Sequence, residues 1–214
     1  MHPKKQKIIE LLQCSAYSEI SEMAVKDSRI ISRLLSLTYD KKSVIAWRAI
    51  EMIGIACGEI AKTDTETVRS TVQKLLWMIR DESGGIGWSN PEILSEIVIR
   101  TPDLCADIAP IIISFHEEKM LIEGVMWAAG TMGKINSETV EYAVPLLREY
   151  LNHPTDTVKA YAARALGTMQ DSVSLGALKA MTGNTTMVAY YSEGELNEKS
   201  IGEIAEEALQ CIAA

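Results

Sequence analysis

Three stretches of this chain share one design, namely IAWRAIEMIG at Ile45–Gly54, GVMWAAGTMG at Gly124–Gly133 and VKAYAARALG at Val158–Gly167. Each has a bulky residue, then small residues and a closing glycine, which predict points where neighbouring helices approach closely. Ser95 stands where a fourth such point is expected. The four points lie 41, 38 and 34 residues apart, which is room for two helices and two turns. The sequence therefore predicts an all-α fold, an α-solenoid of stacked antiparallel helix pairs.

The stretches VMWAAGTMG at Val125–Gly133 and VKAYAARALGTM at Val158–Met169 resemble HEAT-repeat proteins, in particular the phycobilisome-lyase-type repeat family. The resemblance covers roughly residues 40 to 180, and GGIGWSNPEILSEIV at Gly84–Val98 departs from it. It implies HEAT-like repeats in an armadillo-type superhelix. Because the family includes adaptors, scaffolds and maturation factors as well as lyases, the resemblance leaves the function open.

We expect a single helical-repeat domain over residues 1–214. Its parts would be N-terminal helices at 1–38, the repeats at 40–180, and a hairpin with a C-terminal capping helix at 181–214.

One segment, TTMVAYYSEGELNEKS at 185–200, breaks the helical pattern. Its β-branched and aromatic residues flank Glu193 and Gly194, which predicts a small β-hairpin near residues 185–199. The expected faces are Met187, Ala189 and Tyr191 on one side, and Val188 and Tyr190 on the other. We expect this hairpin to decorate or cap the acidic end of the solenoid.

Several residue pairs mark expected helix starts, because a side chain there can accept a free backbone N–H or a proline can occupy the first turn. The predicted pairs are Thr63 with Glu66, Ser200 with Glu203, Asn90 with Pro91 and Thr101 with Pro102.

Two prolines are expected inside helices. Pro110 and Pro145 each lie nine residues after an expected N-cap, Thr101 and Asn136. A proline there removes one helical hydrogen bond, so we expect a bend.

Composition excludes several classes of protein. Of 214 residues, 47% are hydrophobic and 23% charged, which excludes a disordered chain. No run is long and apolar enough for a membrane span, and no secretory signal is evident, so we expect a cytoplasmic protein without a membrane partner. The formal charge of −8 is the wrong sign for binding phosphates, so no nucleic-acid partner is expected.

The sequence contains few of the residue patterns that bind metals or cofactors. Only one His-Glu pair occurs, at His116, and no metal or cofactor site is predicted. The cysteines are scattered among apolar neighbours, so we expect reduced core cysteines. They are Cys14, Cys57, Cys105 and Cys211.

The most unusual local sequence is RDESGGIGWSN at Arg80–Asn90, whose glycines permit a close approach by a ligand or another backbone. One interpretation is a tight turn between repeats with Trp88 packed in the core. The other is a surface that binds a partner or ligand. The candidate residues are Asp81, Glu82, Gly84, Gly85, Gly87 and Trp88. The remaining tryptophans, Trp47, Trp77 and Trp127, lie in helical stripes, so we expect them in the core.

The first functional hypothesis is a non-enzymatic cytoplasmic adaptor or scaffold that binds a protein along a concave face. The alternative is a cofactor- or chromophore-maturation factor, or a lyase-like enzyme, with a site near residues 81–90. A helical-repeat DNA glycosylase using Trp88 with Asp81 and Glu82 is a further alternative, against which the net charge argues. A structural module that oligomerises through the hairpin edge is another.

Overall fold

The computed structural model describes residues 3–80, 87–134 and 137–214. These residues form two compact units. The first runs to Asp107 and includes Tyr191–Leu196, and the second comprises Ile108–Tyr190 and Asn197–Ala214. The predicted boundaries near residues 40 and 180 stay predictions.

The first unit is built around one long, mostly buried helix, α4, which packs chiefly on α6 and α2 and also touches α3 and α5. Its helices are α1 (Pro3–Gln13), α2 (Tyr17–Lys26), α3 (Arg29–Leu35), α4 (Val44–Ala61), α5 (Thr65–Arg80), α6 (Asn90–Arg100) and α7 (Pro102–Cys105). Ser43 starts α4 by accepting the N–H of Ile45 at 3.2 Å. A Cβ added to Gly54 would lie 2.7 Å from the Cβ of Glu96, so glycine lets α4 approach α6.

The second unit repeats this arrangement, with α11 packed between α9 and α13. Its helices are α8 (Ala109–Ser114), α9 (Ile122–Gly133), α10 (Val144–Tyr150), α11 (Asp156–Thr168), α12 (Leu175–Met181) and α13 (Ile201–Ala213). A Cβ at Gly133 would lie 2.8 Å from the Met169 side chain, and one at Gly167 would lie 2.5 Å from the Cα of Ala208. The predicted small-residue approach points at Gly54, Gly133 and Gly167 are therefore real helix contacts.

The two predicted internal prolines begin helices instead of bending them. Pro110 lies in the first turn of α8, directly after a 3-10 turn at Ala106–Ile108. Pro145 lies in the first turn of α10, after a 3-10 segment at Ser137–Ala143. The prediction of a bend is wrong because the chain tightens to 3-10 geometry before each proline, whose missing N–H then costs nothing. The expected cap Asn136 lies outside the described residues.

The predicted helix caps are confirmed in part. Ser200 and Glu203 form both hydrogen bonds of a capping box at the start of α13. At α5 the cap is Asp64, which accepts the N–H of Thr67 at 3.0 Å, so the predicted Thr63 pair is one residue early.

Thr101 is the N-cap residue of α7, as predicted, whereas Ser89 precedes α6 in place of Asn90. Neither predicted side-chain capping bond forms, because both side chains turn to other partners. Asn90 donates its amide to the Leu75 carbonyl at 2.8 Å. Thr101 donates its hydroxyl to the Ile97 carbonyl at 2.8 Å, and Pro91 and Pro102 still occupy first turns.

The predicted hairpin is confirmed. Strands β1 (Met187–Ser192) and β2 (Glu195–Ser200) pair around Glu193 and Gly194, whose φ angles of 53° and 80° fit a two-residue hairpin turn. Val188 and Tyr190, on one predicted face, are buried, and Met187, on the other, is exposed; Tyr191 shares the predicted face of Met187 but is buried. Tyr191 contacts α4, and the sequence carries no signal for that contact.

Only two of the four predicted core cysteines are buried. Cys57 and Cys105 are buried, whereas Cys14 and Cys211 are exposed near helix ends, so that prediction is wrong for the second pair. They are exposed because a helix end has fewer neighbours than its middle.

Among the predicted core tryptophans, Trp47 and Trp127 are buried, but Trp77 is 65% exposed. It follows buried Leu75 by two positions, which places it on the opposite side of α5. No helix in the described residues is long and apolar enough to span a bilayer.

Candidate functional site

Two of the six predicted site residues lie in the part of the chain that the structure describes. Asp81, Glu82, Gly84 and Gly85 lie outside the described residues, whereas Gly87 and Trp88 are described.

Gly87 lies against the end of α5. A Cβ at this position would be 2.8 Å from the carbonyl oxygen of Met78 and 3.1 Å from the Cα of Ile79. The predicted close approach is therefore made, at Gly87, by the protein's own backbone.

The residues after Trp88 are anchored in the first unit by buried polar side chains. Ser89 donates its hydroxyl to the Thr38 carbonyl at 2.8 Å, and Asn90 reaches the Leu75 carbonyl. Because each bond satisfies a buried polar group, this segment is held firmly.

An ion pair between a buried carboxylate and a partly exposed lysine completes the support. Glu92, in the first turn of α6, is 1% exposed and accepts from the Lys41 ammonium at 2.9 Å. The helix N-terminus favours this carboxylate. Its Oε2 has no hydrogen-bond partner within the described parts of the chain. Gly87, Ser89, Asn90 and Glu92 are called the platform below.

Trp88 stands out from this platform. Gly87, Ser89 and Asn90 are buried, yet Trp88 is 49% exposed. The interpretation that packed Trp88 into the core is wrong for this side chain, because its neighbours already make the interior contacts. The platform therefore supports a large aromatic side chain that is about half exposed to solvent.

Two more exposed aromatic residues are next in sequence to residues that contact the platform. Tyr39 follows Thr38, which bonds Ser89, and Trp77 precedes Met78, which Gly87 touches. Tyr39, Trp77 and Trp88, which are all exposed and are each next to a platform residue or to a residue that contacts the platform, are named the aromatic surface. Tyr39 is not among the predicted site residues, and the prediction that Trp77 lies in the core is wrong. The spacing of Trp77 from Leu75 is the sequence signal that indicates its exposure.

Open grooves also occur among the described residues of the first unit, and the following pair is not lined by Trp88. One, of about 610 Å³, lies between α2 and α4 and is lined in part by Tyr17, Ser21 and Ile55. The other, of about 400 Å³, lies between α3 and α5 and is lined mostly by polar side chains. No cluster of metal-ligating side chains occurs in the described ranges.

No protein-family model matches the chain, and no curated protein matches it. Solved structures do resemble it. A designed armadillo repeat protein in complex with the peptide (KR)4 is 16% identical, with a TM-score of 0.50, and the match covers 96% of this chain and 98% of that one. An engineered protein is 16% identical, with a TM-score of 0.54 and coverages of 98% and 96%. An archaeal HEAT-like repeats protein from Thermococcus onnurineus is 15% identical, with a TM-score of 0.41 and coverages of 97% and 80%.

The likenesses at TM-scores of 0.50 and 0.54 show the fold. The chain is an α-solenoid of the armadillo type with a small two-stranded antiparallel hairpin, and the predicted fold class is confirmed. The phycobilisome-lyase subtype stays a prediction.

Proposed function

We propose that this chain is a non-enzymatic adaptor that binds another protein through the aromatic surface of Tyr39, Trp77 and Trp88. The observation that carries the proposal is the exposure of Trp88 between buried, hydrogen-bonded neighbours. Tryptophan and tyrosine dominate the binding energy of protein interfaces, and they are most effective on a rigid support.

The fold supports the same function. Stacked repeats offer extended surfaces for another chain, and one similar solved structure holds a peptide. The net charge of −8 favours a basic partner over an acidic one. A concave binding face and a cytoplasmic location are part of this proposal, as is a contribution from Asp81 and Glu82 to binding.

The test compares capture from native lysate by the wild-type protein, Trp88→Ala and Tyr142→Ala, with proteins and small molecules identified by mass spectrometry. Tyr142 is the matched control, because it is also 49% exposed but lies in the second unit. We expect one partner protein to be lost about thirtyfold in Trp88→Ala and retained in Tyr142→Ala, as for an interface hot spot.

Equal capture by all three proteins would contradict the proposed surface. A small molecule that is retained by the wild type and lost in Trp88→Ala would instead favour the maturation-factor alternative.

A further inference from the structure

The tip of the hairpin, Tyr191–Glu195, is seated on α4 by a buried arginine. Arg48 donates its Nε–H to the Gly194 carbonyl at 2.7 Å and its Nη2 to the Glu195 carboxylate at 2.5 Å. Its Nη1 donates to two backbone carbonyls at the end of α1, both at 2.9 Å. Because a buried guanidinium is costly without partners, Arg48 favours the seated tip.

Two other residues of α4, Trp47 and Glu51, hold the same tip through Tyr191. The ring of Tyr191 stacks on Trp47 with centroids 5.4 Å apart and planes 13° from parallel. Its hydroxyl donates to Glu51 Oε2 at 2.5 Å, and the Tyr17 hydroxyl donates to the same oxygen at 3.4 Å. Stacking and a charge-assisted hydrogen bond therefore act on one side chain.

The stacked tryptophan leads directly to the platform. Trp47 donates its indole N–H to the Lys41 carbonyl at 2.9 Å. The Lys41 ammonium in turn holds Glu92 at 2.9 Å, and Glu92 lies four residues after Trp88. A continuous series of contacts in the first unit thus joins Tyr191 to the support of Trp88.

We propose that the seated hairpin tip is a strap that holds the platform in order, so that release of the tip loosens the support of Trp88. Glu193 and Glu195 at the tip are exposed, so water reaches the Glu195 end of the ion pair with Arg48. The strap's link to partner binding rests on the proposed function. The order of the platform does not, and it can be measured without a partner.

The test is amide hydrogen–deuterium exchange on the full chain, wild type against Tyr191→Ala. We expect exchange at Lys41–Trp47 and Gly87–Leu94 to be about tenfold faster in the variant, because the stack that holds Trp47 is lost. Tyr191→Phe, which keeps the ring, should give a smaller increase in the same segments. Glu198→Gln is the control, since Glu198 is an exposed residue of the same hairpin, and it should leave exchange unchanged.

Faster exchange confined to residues 187–200 would overturn the proposal, because the tip would then open without affecting the platform. If Tyr191→Ala does not fold, two milder variants are judged by the same segments: Tyr191→Phe removes the hydrogen bond to Glu51, and Glu195→Gln removes the charge that pairs with Arg48. The exchange result is separate from the capture test. Unchanged capture by Trp88→Ala would contradict the proposed function, whereas the strap is tested by hydrogen exchange alone.

Discussion

Cysteine chemistry in this protein is set by where each residue falls on its helix. Burial of Cys57 within α4 raises the pKa of its thiol to about 12, with a smaller contribution from Cys105. Because the thiolate is the reactive form, a thiol with this pKa is inert near neutral pH. Cys14 and Cys211 have the same side chain but are open to solvent.

We predict that two thiols of the native protein, Cys14 and Cys211, react rapidly with an aromatic disulfide reagent at about pH 8. All four should react after denaturation. The measurement is the amplitude of the rapid phase, and a Cys14→Ser, Cys211→Ser variant should lose it. A rapid phase that survives in this double variant would show that Cys57 or Cys105 is accessible.

At the scale of the helix, the close approaches depend on the absence of a side chain. Gly167 on α11 lies so close to Ala208 on α13 that a Cβ would sit 2.5 Å from its Cα and 2.6 Å from its Cβ. Backbone atoms cannot rotate away, so the helices would have to separate. Gly176, on α12, has nothing within 4 Å of the same added atom.

We predict that Gly167→Ala lowers the free energy of unfolding by about 2 kcal/mol through overpacking. Gly176→Ala should instead raise it by about 0.5 kcal/mol, because alanine favours the helix and nothing obstructs the Cβ. Urea unfolding of both variants measures the two changes. Effects of the same sign would show that helix propensity, and not the approach of α11 to α13, controls these positions.

Across the whole molecule, tyrosine hydroxyls in both units resist ionisation. Burial, reinforced by the nearby Glu51 carboxylate, raises the pKa of Tyr191 above its ordinary value of 10.0. Partial burial alone raises the pKa of Tyr142, which is 49% exposed, to about 12. Since the unfolded chain ionises first as pH rises, the stabilisation is complete below about pH 10 and is lost above it.

We predict that the free energy of unfolding falls between about pH 10 and pH 12, where the unfolded tyrosines lose their protons. Tyr191→Phe should flatten this fall, whereas Tyr39→Phe, at an exposed position, should not. Urea unfolding at a series of pH values checks this. A Tyr191→Phe curve parallel to the wild type would mean that the Tyr191 hydroxyl titrates alike in both states.

Features that depend on local geometry or on helical periodicity were predictable from the amino-acid sequence. Repeated small residues at Gly54, Gly133 and Gly167 predicted the helix contacts, because a helix brings every third or fourth residue to one face. Glu193 and Gly194 predicted the hairpin, because such turns require positive φ. The Ser200 capping box followed from spacing alone.

Which faces are covered, and by which residues, depends on packing between distant parts of the chain. Tyr191 reaches Glu51 across 140 residues of chain, and nothing in the spacing of either residue indicates that contact. Tryptophan is a large aromatic residue that usually packs in a core, yet Trp88 is half exposed because its neighbours occupy the interior. Glu92 looks like an ordinary first-turn carboxylate, but packing buries it against Lys41. The physical reason is that burial depends on contacts between residues far apart in the chain, whereas periodicity identifies only a face that something must cover.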